Sequence, residues 1–285
     1  MRRYVWGVTG LVLFFTMAFS SFTVAGPGMR ITIAGSTTVL PVASRSAQKF
    51  MESSSIRILV NAGGSGVGIH SVAGGRVDIG MASREVSPDE SKRFEKSNLK
   101  IHPVGIDAVA CAISSEVYDA GVRQLTPQEI ADIYLGKIRN WKEVKGPDRQ
   151  IVVVDKERHR GTRHVFMQYI FGNALQRTPG ALLVTGSNNE EQAKIAQSDS
   201  AIGMLSFAWL NDDVKAVALV DRGKEILPTW EMVRQGSYPI VRKLNFITAG
   251  EPENEVKAFI DFVKGPEGQK IVEESGYIPL GSSQP

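Results

Sequence analysis

The stretch Val60-Asn61-Ala62-Gly63-Gly64-Ser65-Gly66-Val67-Gly68-Ile69 decides how the rest of the chain is read. An apolar, β-branched run at Ile56, Ile58 and Val60 leads into a glycine loop with one hydroxyl, and a helix-compatible segment follows. Glycine tolerates positive φ and lets backbone N–H groups come close to a ligand. A helix beginning just behind such a loop offers free N–H groups and the positive end of its dipole, which together favour an anion. The loop is not a Walker A sequence, since Ile69 stands where a lysine is needed, and its glycine spacing does not fit a dinucleotide fingerprint. On its own such a loop is more often an ordinary turn. The same grammar recurs, however. Ile31–Ala34 runs into Gly35-Ser36-Thr37-Thr38, and Ile151–Val154 runs into a basic segment ending Arg160-Gly161-Thr162-Arg163. Three strand–hydroxyl loop–helix units point to one small anion held from several sides.

Around these loops β and α elements alternate. The pattern predicts strands at 31–34, 56–61, 77–82, 102–113, 151–154, 200–205, 214–220 and 238–247. It predicts helices at 36–53, 69–75, 162–171 and 188–196, with closing helices between 253 and 275 broken at Gly265-Pro266. Two further helix starts carry cap signatures: Ser87 with Glu90, and Thr126 with Pro127 and Glu129. Alternating elements predict an α/β fold with mixed sheets flanked by helices, and ligands in such sheets sit beyond the carboxyl ends of strands. The long apolar segments at 102–113 and 238–247 are read as two crossover strands forming a hinge. They divide the chain into 26–106 plus 240–285 as one lobe and 107–239 as the other, a shape that closes on its ligand.

Composition fits a globular protein with room for two cores: 285 residues, 42% apolar and 22% charged. The formal net charge is +3, but Arg2 and Arg3 belong to a leader, which leaves the remainder close to neutral. That balance argues against a nucleic-acid or membrane-surface binder. Met1-Arg2-Arg3, the apolar run Val5–Phe19 and Thr23-Val24-Ala25 read as a signal peptide, 1–25, cleaved after Ala25. The single cysteine, Cys111, lies in an apolar run and reads as an inert core thiol. His70, His102, His159 and His164 show no metal-ligand spacing, and no nucleophile elbow is present, so neither a metal, a cofactor nor catalysis is expected.

Taken together, Ala34–Thr38, Gly63–Gly68, Asp78–Glu85, Leu125–Ile130 followed by Gly136–Trp141, and Tyr238-Pro239-Ile240 resemble one family. In order and spacing they are similar to the PstS-like phosphate-binding proteins of bacterial ABC transporters, over essentially the whole mature chain. The resemblance implies a two-lobed type II periplasmic-binding-protein fold, inorganic phosphate as ligand, an inner-membrane ABC permease as partner, a monomer, and a periplasmic location. Carried over residue by residue, it implies ligand positions at Ser36, Thr37, Thr38, Ser65, Gly66, Ser83 and Arg84. In the fourth segment Gly161, Thr162 and Arg163 match the family pattern. Lys156 stands where the family has arginine and Arg160 where it has serine. Lysine lacks the bidentate fork that suits a tetrahedral oxyanion, and Arg160 either restores it or changes the ligand. Other oxyanions (sulfate, molybdate, tungstate) and a non-transporting phosphate sensor are therefore the alternative readings. Hydrogenphosphate also carries a proton that asks for an acceptor, and Glu85, Asp78 and Glu157 are the carboxylates within the matched segments.

Overall fold

The structure, a computed structural model, describes residues 29–281, so the expected signal peptide lies outside the described residues. The first part of the chain alternates β1 (Arg30–Gly35), α1 (Leu40–Glu52), β2 (Arg57–Ala62), α2 (Ser65–Ala73), β3 (Ile79–Ala82) and α3 (Pro88–Arg93). The long strand β4 (Leu99–Ser114) follows, then α4 (Ser115–Asp119), β5 (Gln124–Leu125) and α5 (Pro127–Tyr134). The chain continues through β6 (Val152–Lys156), α6 (Gly161–Phe171), β7 (Ala181–Thr185), α7 (Asn188–Ala196) and β8 (Ala201–Ser206). Three short strands, β9 (Val214–Ala216), β10 (Ala218–Asp221) and β11 (Lys224–Ile226), precede α8 (Trp230–Arg234). It ends with β12 (Val241–Ala249), α9 (Asn254–Lys264) and α10 (Pro266–Glu274).

The main sheet runs β2-β1-β3-β12-β4-β8-β6-β7, with β9 attached to β4. Its two ends are parallel blocks: β1 pairs β2 and β3 in parallel, and β6 does the same with β7 and β8. Between them β12 and β4 are antiparallel, and β4 is long enough to pair β12 through its first part and β8 through its second. The sheet is therefore one mixed, curled surface assembled from two βα blocks. The buried side chains separate accordingly. Ile31, Ile33, Val42, Met81, Phe246 and Phe259 belong to one cluster; Cys111, Ile130, Tyr134, Trp141, Phe166 and Met204 belong to another.

Local signals explain the elements well where caps are strong. Thr126 Oγ1 accepts from Glu129 N–H at 3.1 Å while the Glu129 carboxylate takes the Thr126 N–H at 2.8 Å, a closed capping box with Pro127 just inside. Ile130, Ala131, Ile133 and Tyr134 then face inward. Cys111 is fully buried on β4, and burial pushes its thiol up, as expected of a core residue.

Several expected boundaries shift. Helix α1 starts at Leu40 rather than Ser36, because Ser36 N–H goes to Met81 O and Val39 N–H returns to Ser36 O, spending 36–39 on a turn. Helix α2 starts at Ser65 rather than Ile69, since Gly64 at φ 93° turns the chain straight into it. The strand expected over 214–220 is two: Val217 N–H bonds Cys111 O, Ala218 N–H bonds Arg123 O, and the chain steps between sheets. The second crossing strand begins at Val241, past Pro239, which has no N–H to give a ladder. Among the described residues no helix is long and apolar enough to cross a membrane.

Candidate functional site

Strands β1, β2 and β3 of one parallel block and β6 and β7 of the other, which runs in the opposite sense, deliver their carboxyl ends to one place. There, a small chamber of about 10 Å³ is lined by Ser36, Thr37, Thr38, Gly64, Ser65, Ser83, Lys156, Arg160, Gly161, Thr162, Gly186, Ser187 and Asn188. The three loops singled out in the sequence thus meet. Helices α1, α2 and α6 begin at its wall with no side-chain cap and no acidic residue in the first turn. A helix start carries the positive end of the dipole, so these three turn partial positive charge to the chamber, although Leu40 N–H is spent on Ser36 O and Gly66 N–H on His159 O. Glycine is required at the closest approach. A Cβ on Gly161 would run into the Ser65 and Ser83 hydroxyls, and one on Gly64 would lie 2.9 Å from the Arg160 side chain.

The hydroxyls form a connected set. Ser36 Oγ donates to Ser83 Oγ at 2.9 Å, and Ser83 N–H donates to Ser65 Oγ at 3.0 Å. Thr38 N–H donates to Ser36 Oγ at 3.2 Å, and Tyr277 O–H anchors the Thr38 carbonyl at 2.7 Å. The two sides are joined across the chamber. Asn188 Nδ2 donates to Thr38 Oγ1 at 2.9 Å, Gly66 N–H donates to His159 O at 3.0 Å, and His159 Nε2 reaches Gly63 O at 3.1 Å.

Each cation here has a carboxylate behind it. Lys156 is fully buried and pairs with Glu191, its ammonium also donating to Ser187 O at 3.2 Å. Burial pushes Lys156 down and Glu191 up, and each charge opposes the other's shift. Arg160 pairs with Glu157 and lies over the chamber beside Gly64. Arg242, on β12, sits beneath it, paired with Asp107 of β4 at 2.7 and 2.9 Å. With charges already balanced, the pull on an anion comes from oriented N–H and O–H dipoles more than from net charge.

The structure separates the expected ligand residues. Ser36, Thr37, Thr38, Ser65, Ser83, Lys156, Arg160, Gly161 and Thr162 line the chamber. Arg84, Arg163 and Gly66 do not. Arg84 forks onto Glu90 at 2.7 and 2.8 Å, with a further bond to Glu85 O. Arg163 is buried against Asp155 and ties down Gln176 O at 2.7 Å. Gly66 N–H is committed to His159. None of the three acceptor candidates lines the chamber either. Asp78 takes the Thr32 N–H and O–H, Glu157 holds Arg160, and Glu85 lies outside. Among the described residues the lining holds no carboxylate. Sequence reading missed Asn188, Ser187 and Gly186 in the lining and Arg242 beneath it. The one local signal was the Ser187 cap ahead of α7, where Ser187 Oγ accepts from Glu190 N–H.

His159 and His164, which flank Gly161-Thr162 in the sequence, are placed differently. His159 bridges the two sides, whereas His164 is half-buried near Arg84, where burial and then the Arg84 charge hold it at about 4.

Comparison with known proteins agrees with this geometry. A family model described as a PBP superfamily domain matches residues 21–267. Phosphate-binding protein PstS of Bacillus subtilis is 35% identical over 252 residues, 88% of this chain and 80% of that protein. Phosphate-binding protein PstS of Borreliella burgdorferi is 27% identical over 259 residues, 88% of this chain and 90% of that one. Among solved structures, a putative phosphate ABC transporter substrate-binding protein with bound phosphate from Clostridium perfringens superposes with a TM-score of 0.79 at 33% identity. It covers 88% of this chain and 99% of that chain. An ABC-type phosphate transport receptor from Vibrio cholerae gives 0.70 at 28% identity, over 87% and 99% of the two chains.

Proposed function

This chain belongs to the PBP superfamily and, within it, to the family of PstS phosphate-binding proteins, and from that premise we propose that it captures inorganic phosphate between two lobes for an ABC permease. One observation carries the reading: three helix starts without a side-chain cap or a first-turn acid converge with seven hydroxyl side chains on one small chamber. The ligand is held by Ser36, Thr37, Thr38, Ser65, Ser83 and Thr162, by N–H groups at the starts of α2 and α6, and by Lys156 and Arg160. We assign 26–106 with 240–285 to one lobe and 107–239 to the other; the two separate clusters of buried side chains support that division. The protein acts as an exported, periplasmic monomer and carries out no catalysis.

The missing carboxylate favours a second reading. A carboxylate facing the ligand penalises sulfate, which has no proton to offer it. With none in the lining, sulfate or another fully ionised oxyanion is a competing ligand. Calorimetric titration of the chain from Gly26, unfolded and refolded to strip carried anion, separates these. Phosphate binding that sulfate does not displace is the expected result. Silence towards phosphate with binding of sulfate, molybdate or tungstate moves the ligand but keeps the site, and silence towards all of them favours a sensor role.

A further inference from the structure

A threonine hydroxyl has one hydrogen to give and two lone pairs to receive, so what it accepts decides where its hydrogen points. Arg242 has five N–H bonds to place. Its Nε and Nη2 donate to Asp107 Oδ2 at 2.9 and 2.7 Å. The second hydrogen on Nη2 goes to Thr38 Oγ1 at 3.2 Å, and Nη1 donates to Thr162 Oγ1 at 3.1 Å and to Ser83 O at 3.2 Å. Every donor is spent. Thr38 Oγ1 also receives the Asn188 amide at 2.9 Å, so both of its lone pairs are occupied. Its hydrogen is left for the chamber, since the other neighbour, Thr162 Oγ1, stands at 3.5 Å. Thr162 Oγ1, receiving Arg242, is biased the same way.

Deepening the phosphate reading above, we propose that Arg242 is a positioning residue: it turns Thr38 and Thr162 into obligate donors towards the anion. Its guanidinium stays out of the chamber lining and acts only through the two hydroxyls. Place matters as much as chemistry. Arg242 and Asp107 are register partners on β12 and β4, the two strands that run between the lobes. Thr38 follows β1 of one lobe and Thr162 opens α6 of the other. One guanidinium therefore meets both hydroxyls only when the lobes are together. The donor set is completed by closure, and an open form presents threonines whose hydrogens are free to rotate. A proton-bearing or fully ionised oxyanion is accepted through those two donors alike, which makes Arg242 a source of affinity and not of discrimination between them.

The test is a double-mutant cycle read by calorimetric titration with inorganic phosphate. Arg242→Lys keeps a cation against Asp107 but cannot fork to both threonines; Thr162→Val keeps the shape and removes the hydroxyl. Each single change is expected to weaken phosphate binding about ten- to hundredfold, the range for one lost bond to a charged group. The double variant is expected to be little weaker than Arg242→Lys alone, because residues acting as one unit are not additive. Phosphate and sulfate affinities should fall by the same factor in Arg242→Lys. Fold losses that multiply in the double variant, or an Arg242→Lys protein that binds like the parent, overturn the proposal. Should Arg242→Lys fail to fold, the pair Arg242→Gln with Asp107→Asn removes both buried charges together and is expected to behave identically in the cycle. A parent chain silent towards phosphate would sink the functional reading itself, a result distinct from an additive cycle on a parent that binds.

Discussion

Helices α3 and α5 begin on complete capping boxes, Ser87 with Glu90 and Thr126 with Glu129, whereas α1, α2 and α6 begin without a side-chain cap or a first-turn acid. Both groups follow the same rule that the first N–H groups of a helix must be satisfied. The first group satisfies them from its own sequence, and the ends are finished locally. The second has no such side chain: Leu40 N–H goes to Ser36 O and Gly66 N–H to His159 O, and the remaining positive ends stand at a shared chamber with no acid of their own to meet them. Helix α7 is intermediate: Ser187 caps it, and its first-turn Glu191 is turned away onto Lys156. A missing cap is thus as informative as a present one.

The largest expected effect comes from supplying an acid where the chamber has none. Thr37→Asp should weaken phosphate binding about a hundredfold or more, since like charges brought together cost several kcal/mol. Unfolding of the ligand-free protein should stay nearly unchanged, because the new carboxylate takes up the open donors itself. Titration and thermal unfolding on the same sample check this; equal losses in both would mean the open helix starts have no special role.

Acid should then tell the two groups apart. His164, in the uncapped α6, is held at about 4 against its ordinary 6.5, first by burial and then by Arg84. Between those values the unfolded chain binds a proton that the folded chain refuses, so stability falls as pH drops from 6.5 to 4. Glu90, in the capping box of α3, is raised by burial but lowered more by Arg84 and Ser87, to about 2 against 4.5. Its contribution is intact above 4.5 and is lost as pH falls towards 2. His164→Gln should flatten the upper arm of a denaturant-unfolding series and Glu90→Gln the lower one; a swap of the arms would refute the assignment. The smallest effect belongs to the closed caps. Thr126→Ala should cost about 1 kcal/mol of stability and leave the phosphate affinity where it was. A matching loss of affinity would erase the distinction between the two kinds of helix start.

Much of this was legible in order along the chain. The Thr126-Pro127-Glu129 start, the hydroxyl loops after β1 and β2 and the Gly161-Thr162 start of α6 are local signals, and local chemistry kept them. Two expected ligand residues that the structure sets apart from the chamber are long cations near the right loops. Arg84 and Arg163 emerge beside the chamber, but Glu90 lies six residues on and Asp155 eight residues back, and those carboxylates capture the side chains. Residues missed were those whose meaning is wholly tertiary. Asn188 meets Thr38 across 150 residues and Arg242 meets it across 204, distances over which no periodicity or cap rule speaks. The edge strand β7 escaped for a different reason. Leu182, Leu183 and Val184 are all exposed, so they show neither the alternation of a half-buried strand nor the bounds of a buried one.

The bonds that join the two sides also set a timescale. Gly66 is tied to His159, Asn188 is tied to Thr38 and Arg160 lies over the chamber, so a ligand held there is walled in by links between the two sides. Loosening those links is expected to shorten the residence time of a bound anion, so changes along the seam should act on the rate of release more than on the rate of capture.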